Sequence, residues 1–160
     1  YHRVGSNAWL EAQYGNIDTM ATTGHIAKLA REYPNARFMI DEIGVGARVV
    51  DRCVELEIPN VHGVNVGEKS NFEDKLNLRA EYYWLLRDRL AQGELSLKVD
   101  DETTQQLTSV KFKYTSSGRI QIESKDDMRK RGLKSPDKAD ALMLTYANPQ
   151  QSGGLTYETL

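Results

Sequence analysis

A chain of 160 residues and 18.1 kDa has room for one domain with a real core and too little for two. Its 21 Lys and Arg residues stand against 23 Asp and Glu residues, so the formal net charge of -2 does not favour nucleic-acid binding by overall charge. Apolar residues make up 39% of the sequence, and no apolar run is long enough for a transmembrane helix. The N-terminus does not resemble a signal peptide, and the single Cys53 excludes an internal disulfide and a zinc cluster, so we expect a soluble cytoplasmic protein.

The first 65 residues alternate between predicted strands and predicted helices. Asp18 is placed to cap a helix that Pro34 ends, and Gly44-Val45-Gly46 leads into the next helix. This order is typical of an α/β fold rather than a helical bundle or a β-sandwich. The predicted strands are residues 1–4, 8–14, 36–40 and 61–65, and the predicted helices are residues 18–33 and about 46–58.

One hairpin is clearly predicted in the second half of the chain. The segments 111–115 and 119–123 alternate between polar and apolar or aromatic residues, and they flank the turn Ser116-Ser117-Gly118. This pattern is the strongest hairpin signal of the sequence. A long helix, a short strand and a short helix are predicted before it, at residues 72–92, 95–98 and 101–107.

The last predicted helix begins at Ser135 and runs to about residue 147. Ser135 is the predicted N-cap, and Pro136 occupies the first helical position, where its missing N–H is tolerated. The residues beyond this helix are polar. We therefore assign residues 1–148 to one domain and residues 149–160 to a polar C-terminal tail.

Two aspartates lie where a carboxylate is unusual. Asp41 directly follows an apolar strand, at the edge of the sheet where α/β proteins bind their ligands. Asp140 interrupts the apolar stretch of the last helix, where a carboxylate is unfavourable unless it is paired or bound to a metal, and Asp137 lies one turn earlier on the same face. Oxygen ligands without His or Cys suit Mg²⁺ or Mn²⁺, which catalyse phosphodiester hydrolysis.

Each of these carboxylates also has a purely structural interpretation, which the sequence leaves open. Asp41 is placed to cap the helix that follows Gly46. Asp137 is placed to stabilise the N-terminus of the last helix electrostatically. Asp140 is a candidate for an ion pair with a Lys or Arg from elsewhere in the chain.

No nucleotide-binding motif accompanies these carboxylates in the sequence. Gly44-Val45-Gly46 resembles the start of a dinucleotide-binding loop, but Val49 stands where the third glycine is needed. The sequence has no Walker A motif, so we expect no ATP site in this chain. Cys53 falls on the apolar side of its helix and is predicted to be a buried thiol.

Positive charge is concentrated in one stretch of the chain. Residues 111–138 hold nine Lys or Arg against four acids, a balance of +5, whereas the remainder holds 12 against 19, a balance of -7. A basic hairpin and loop before the carboxylate-bearing helix would attract a DNA backbone, with Tyr114 as a candidate stacking group; a solvated basic surface is the alternative. The candidate DNA-binding residues are Lys111, Lys113, Arg119, Lys125, Arg129, Lys130, Arg131 and Lys134.

Several segments resemble, in the same order, the sequence blocks of one known family. Residues 38–52, which include Asp41 and Gly44-Val45-Gly46, resemble the central block of the nuclease domain of tailed-phage terminase large subunits. The resemblance covers about residues 18–147, which is most of the chain, and its specificity comes from the order of the blocks. The later blocks are matched by residues 64–68, 77–81, 118–125 and 135–142.

The resemblance implies an RNase H-like α/β fold of the RuvC type, with a mixed central sheet flanked by helices and an added β-hairpin near the active site. It implies a metal-dependent endonuclease that cuts concatemeric double-stranded viral DNA during genome packaging, in the cytoplasm of the host bacterium. Two Mg²⁺ or Mn²⁺ ions are expected, with Asp41 and Asp140 as catalytic ligands and Asp137 as an auxiliary ligand. The implied partners are double-stranded DNA, an upstream ATPase domain of the same subunit, the portal and the small terminase subunit.

One feature of the family has no match in this sequence. The family's first catalytic aspartate lies on a first strand that precedes the hairpin beginning here at Tyr1, and Glu11 and Asp18 match later positions. Because that strand is the middle of the RNase H sheet, we expect upstream residues to be missing and the sheet and the site to be split without them. Two other functions stay open: a nuclease-inactive module that binds DNA or docks on the packaging motor, and a RuvC-like resolvase of branched DNA.

Overall fold

The computed structural model describes residues 1–15 and 17–148, in which strands and helices alternate through the first half, as predicted. The strands are β1 His2–Val4, β2 Asn7–Trp9, β3 Phe38–Asp41, β4 Val61–Val64, β5 Ser96–Lys98, β6 Phe112–Tyr114 and β7 Ile120–Ile122. The helices are α1 Thr19–Glu32, α2 Val45–Glu55, α3 Leu78–Ala91, α4 Asp101–Ser109, α5 Lys125–Lys130 and α6 Asp137–Leu144.

The strands form two small sheets and a hairpin. In the first sheet β1 pairs antiparallel with β2, and β2 pairs in parallel with β5, so this sheet is mixed. In the second sheet β3 and β4 run parallel, and α2 forms the crossover between them. The central sheet expected of the fold is therefore present as two sheets within the described residues, which is the split anticipated from the sequence.

A cavity of about 1160 Å³ separates the two sheets. β1 and β3, which each pair on one side only within the described residues, line this cavity together with residues of α1 and α6. Asp41, the last residue of β3, is part of the lining. The cavity therefore brings one of the predicted site residues next to α6, the helix that carries Asp137 and Asp140.

The main hydrophobic core lies around α3 and α6. α3 buries Tyr82, Tyr83 and Leu86, and α6 buries Leu142 and Met143. Because the two helices share one close-packed core, side chains on their facing polar edges are held at fixed distances from one another. This packing positions the candidate site.

The second predicted strand, residues 8–14, is shorter in the structure, where β2 ends at Trp9, and two further differences concern helices. α3 begins at Leu78 rather than near residue 72, because the Asn77 side chain caps the helix by accepting a hydrogen bond from the Ala80 N–H at 3.0 Å. α5, which the sequence analysis did not predict, occupies residues 125–130 after its cap, Ser124. Both helix corrections lie in regions that lead to the candidate site.

The predicted hairpin is present and leads directly into α5. β6 and β7 pair antiparallel, with Phe112 opposite Ile122 and Tyr114 opposite Ile120. Ile120 and Ile122 are buried and β7 packs on α3, whereas every residue of β6 is exposed. The hairpin therefore lies beside α3 and presents β6 to solvent.

In the described part of the chain, no helix combines the length and the apolar character needed to cross a membrane. Cys53 is fully buried on α2, as predicted, and burial raises the pKa of its thiol. The predicted tail, residues 149–160, lies outside the described residues, so the domain boundary at residue 148 stays a prediction.

Candidate functional site

Asp140 is the most enclosed of the predicted site residues. It lies in the first turn of α6 with 8% of its surface exposed, and its Oδ1 accepts hydrogen bonds from Arg79 Nη2 at 3.0 Å and Tyr83 Oη at 2.8 Å. Arg79 and Tyr83 lie four residues apart on α3, so both reach α6 from one helical face. Burial and then the Asp140 charge raise the pKa of Tyr83 well above its ordinary value, so the phenol stays a hydrogen-bond donor at neutral pH.

One ammonium group joins Asp140 to Asp137. Lys125 Nζ, at the start of α5, lies 3.2 Å from Asp140 Oδ2 and 3.5 Å from Asp137 Oδ1. The structural interpretation of Asp140 as an ion-pair partner is therefore confirmed by Arg79 and Lys125. The same geometry brings two carboxylates together on one cation, an arrangement that a divalent ion also requires.

The N-terminus of α6 is held by α4 rather than by a cap of its own. Pro136 occupies the cap position, and the Ser135 hydroxyl donates to Asp137 Oδ1 at 2.6 Å. Gln106 Oε1 accepts hydrogen bonds from the backbone N–H groups of Lys138 at 2.8 Å and Ala139 at 3.1 Å. The prediction that Ser135 caps this helix is therefore wrong, because a residue distant in the sequence satisfies the first N–H groups.

The side chain of Lys138 reinforces this contact between α4 and α6. Its Nζ lies 2.5 Å from Asp100 Oδ2 and 2.7 Å from Glu102 Oε2. Asp100 also caps α4 by accepting a hydrogen bond from the Thr103 N–H at 2.8 Å. The hydrogen bond from Lys138, followed by those from Thr103, holds the pKa of Asp100 well below its ordinary value. α4 thus fixes the turn of α6 that carries Asp137 and Asp140.

Asp41 ends β3, as predicted, and its side chain closes the turn that follows. Asp41 Oδ1 accepts a hydrogen bond from the Ile43 N–H at 3.0 Å, whereas the N-cap position of α2 is Gly44 and no side chain caps that helix. The alternative that Asp41 caps α2 is therefore wrong. Gly46 packs so closely on the Asp41 carbonyl that a side-chain methyl group at this position would overlap it. This close backbone contact requires a glycine here, so the glycine needs no bound dinucleotide to explain it.

Two of the three predicted metal ligands, Asp137 and Asp140, share one ammonium partner, and Asp41 does not complete a group of three with them in the described residues. Asp41 lines the cavity between the sheets, as does Ala141, the neighbour of Asp140. Within residues 1–15 and 17–148, no three His, Cys, Asp or Glu side chains form a group that could hold a metal ion. The pair Asp137 and Asp140 offers hard oxygen atoms of the kind that Mg²⁺ and Mn²⁺ prefer, and Asp41 as a further ligand stays a prediction.

The predicted DNA-binding residues differ in how far their charge is offset. Five of these eight side chains have a carboxylate within 4.0 Å. The pairs are Lys125 with Asp140, Lys113 with Asp127, Arg129 with Asp126, Lys130 with Asp127 and Arg131 with Glu123. In the part of the chain that the structure describes, no ion pair involves Lys111, Arg119 or Lys134. The unpaired positive charge is therefore smaller than the sequence count suggests, and two of its three positions belong to the hairpin.

Sequence reasoning did not identify Arg79, Tyr83 or Gln106 as site residues. Arg79 and Tyr83 carried a usable signal, because two polar groups four residues apart on a largely buried helix indicate a shared polar partner. Arg79 Nη1 also donates to the Glu123 carbonyl at 2.7 Å, which ties the end of the hairpin to the site. Gln106 gave no local signal, since its contact with α6 spans 32 residues of sequence.

Solved structures with this fold include nuclease domains of phage terminases. A point mutant of the nuclease domain of the large terminase subunit gp2 of bacterial virus Sf6, with manganese, matches with a TM-score of 0.76 and 22% identity over 92% of this chain and 81% of that one. The large terminase nuclease of thermophilic phage G20c, with bound magnesium, matches with a TM-score of 0.57 and 17% identity over 82% and 64% of the two chains. No protein-family model and no curated protein matches the sequence. At these identities the comparison establishes the fold, and it confirms the RNase H-like fold that the family resemblance implies.

Proposed function

We propose that this chain is the nuclease domain of a phage terminase large subunit, a metal-dependent endonuclease that cuts concatemeric double-stranded DNA during genome packaging. The observation that carries the proposal is the convergence of Asp140 and Asp137 on one cation position, in a fold shared with terminase nucleases. Related structures contain manganese or magnesium, which supports a divalent ion as the cofactor. The expected setting is the host cytoplasm, with an upstream ATPase domain, the portal and the small terminase subunit as partners.

Asp140 and Asp137 would hold the metal, with Asp41 as a further ligand. A bound Mg²⁺ or Mn²⁺ supplies a more acidic water and stabilises charge on the leaving oxygen, and a complete site is expected to hold two ions. Arg79 and Tyr83 fix Asp140 Oδ1, which leaves Oδ2 directed towards Lys125 and the cation position. Lys125 offsets the repulsion between the two carboxylates and so keeps them together.

The positive side chains of the hairpin and the following loop would hold the DNA backbone. Lys111, Arg119 and Lys134 form no ion pair in the described residues and are therefore the most available for phosphate contact. Lysine and arginine contacts to phosphate position a duplex without reading its sequence. We expect binding that depends strongly on salt and weakly on DNA sequence.

Substitution of the carboxylates tests the proposed activity. In a cleavage assay on linear duplex DNA with Mg²⁺ or Mn²⁺, Asp140→Asn and Asp41→Asn should each lower the rate by about a hundredfold or more, because each removes a charged oxygen ligand. Asp51→Asn, an exposed position on α2, is the matched control and should cleave as the parent does. Full cleavage by Asp140→Asn would contradict the proposal.

A nuclease-inactive module that binds DNA or docks on the packaging motor is the second candidate. It is favoured by one observation: the described residues contain no group of three possible metal ligands, and Lys125 already neutralises the pair Asp137 and Asp140. On this alternative the parent protein cleaves no DNA with either metal, while Asp41→Asn and Asp140→Asn keep or increase DNA affinity. Comparing linear duplex with a four-way junction in the same assay separates a terminase nuclease from a RuvC-like resolvase.

A further inference from the structure

Three aromatic rings form a partly exposed surface on the hairpin and α3. Phe112 and Tyr114 lie two residues apart on β6, hence on one face of the strand, and 47% and 63% of their surfaces are exposed. The Phe112 ring meets the Tyr114 ring edge-to-face at a centroid distance of 5.8 Å, and it meets the Trp84 ring in the same manner at 4.9 Å. We refer to Trp84, Phe112 and Tyr114 as the aromatic platform.

Positive groups surround the aromatic platform. The Arg87 guanidinium and the Lys75 ammonium lie 4.7 Å and 5.3 Å from the centre of the Trp84 ring. Both cations also pair with neighbouring carboxylates, on Asp88 and Asp74, so the net positive charge comes from the hairpin itself. Residues 111–122 contain no acidic residue and three cations. Lys111 and Arg119 form no ion pair in the described residues, and Lys113 lies 4.0 Å from Asp127.

We propose that the aromatic platform binds unpaired nucleobases, so that the proposed nuclease acts on DNA with a single-stranded stretch beside the cut. Stacking on a side chain requires a base with an open face, and in a regular duplex neighbouring base pairs cover those faces. The contact with Phe112 occupies at most one face of the Tyr114 ring, and 63% of the Tyr114 surface is exposed, so the ring offers area on which a base can stack. The hairpin cations supply the phosphate contacts that accompany such stacking.

α3 links the aromatic platform to the candidate site. Trp84 faces the hairpin, while the adjacent Tyr83 and the preceding turn with Arg79 hold Asp140. Arg79 also donates to the Glu123 carbonyl, directly after β7 and one residue before the cap of α5. A DNA strand on the platform would therefore lie next to the elements that carry the carboxylates. This placement at the cut rests on the proposed function, whereas the binding of bases does not.

The test compares single-stranded and duplex DNA on matched variants of the chain. Binding of a fluorescent homothymidine strand, and of a blunt duplex of the same length, is measured by anisotropy without divalent metal. Phe112→Ala and Tyr114→Ala should each weaken single-strand binding roughly 5- to 150-fold and leave duplex binding unchanged. Tyr114→Phe should bind as the parent does, and Lys111→Gln should weaken both DNA forms to a similar degree, because it removes a phosphate contact.

Three results would overturn the proposal. Single-strand binding that survives both alanine substitutions excludes stacking at this surface. Equal weakening of single-strand and duplex binding shows a general phosphate contact, and full binding by Tyr114→Leu shows an apolar contact of the kind that a protein partner makes. Unchanged thermal melting of each variant verifies that the fold is intact.

Cleavage assays keep this proposal distinct from the proposed nuclease activity. With Mg²⁺ or Mn²⁺, a duplex with a central mismatch bubble should be cut faster than a fully paired duplex, and Tyr114→Ala should remove this preference. If the parent cuts neither DNA but Phe112→Ala and Tyr114→Ala weaken single-strand binding, the nuclease proposal fails and the base-binding proposal stands. If the parent cuts both DNAs at equal rates and the two alanine variants bind single strands as the parent does, only the base-binding proposal fails.

Discussion

The carboxylate of Asp140 is shared by three donors that would respond differently to a divalent ion. Arg79 and Tyr83 both bind Oδ1, whereas Lys125 approaches Oδ2 and also reaches Asp137. The two α3 donors can stay in place when a metal binds Oδ2, but Lys125 occupies the space between the ligands. Removing a donor to Oδ1 should therefore weaken metal binding, whereas removing Lys125 from Oδ2 should strengthen it.

Lys125→Ala should strengthen the binding of Mn²⁺. The substitution removes a positive charge within 3.5 Å of both carboxylates, so the ion no longer competes with an ammonium group. Because Lys125 is partly exposed and therefore screened by solvent, we expect an increase in affinity of only about tenfold, measured by isothermal titration calorimetry. Lys130→Ala, on the same helix with its ammonium on Asp127, is the matched control and should leave the affinity unchanged. A weaker affinity in Lys125→Ala would show that the lysine supports the ion instead.

Tyr83→Phe should weaken the binding of Mn²⁺ by about tenfold, because Asp140 loses one of the two donors that orient it. The raised pKa of Tyr83 keeps the phenol protonated from neutral to mildly alkaline pH, so the difference between parent and variant should be constant over that range. Calorimetric titrations at stepped pH measure this difference. A difference that disappears on mild alkalinisation would show that the phenol ionises there, contrary to the effect of its burial.

At the scale of single elements, the sequence was informative where local contacts decide the structure. Asp18 caps α1 as predicted, with its Oδ1 accepting from the Ala21 N–H at 2.7 Å, and the hairpin follows its alternating pattern. Ser135 failed as a cap because Gln106 of another helix satisfies the same N–H groups. A cap supplied from a distance leaves no trace in local sequence, so the start of α6 could not be predicted in this way.

Gln106 should be required for both the stability of α6 and the geometry of its carboxylates. Gln106→Leu leaves the N–H groups of Lys138 and Ala139 without their acceptor, and should lower the free energy of unfolding by about 1–2 kcal/mol and weaken Mn²⁺ binding. Gln106→Glu keeps an acceptor oxygen and places negative charge at a helix N-terminus, so it should restore most of both. Urea unfolding and metal titration of the two variants measure these effects. Equal stability of Gln106→Leu and the parent would show that water replaces the cap at no cost.

At the scale of the molecule, the sequence placed Asp41 and Asp140 correctly in the fold but could not show how far the site is assembled. Asp140 was recognisable because a carboxylate in an apolar helix needs partners, and Asp41 because it ends a buried strand. Whether they meet depends on how the two sheets pack, which no local pattern records. The cavity between the sheets, and the absence of a group of three possible ligands from the described residues, were visible only in three dimensions.

Within the described residues β3 pairs with β4 alone, and its other edge faces the cavity between the two sheets. The Phe38 N–H, at the start of β3, donates to the Asn60 carbonyl at 2.8 Å, and the Glu42 N–H, directly after β3, donates to the Val64 carbonyl at 3.2 Å, so both point to the side of β4. Because the N–H groups of successive residues along a strand point to opposite sides, those of Met39 and Asp41 point away from β4.

Amide hydrogen exchange should therefore alternate along β3. We expect the N–H groups of Met39 and Asp41 to exchange at least about tenfold faster than those of Phe38 and Glu42, because the latter are bonded to β4 or its neighbours. Ala8, in the central strand of the first sheet, is the slowly exchanging reference. Slow exchange at Met39 and Asp41 would contradict an open edge. Since Asp41 is the last residue of that edge, any strand that paired there would also order the predicted ligand, so the same amides report whether the two halves of the candidate site have been brought together.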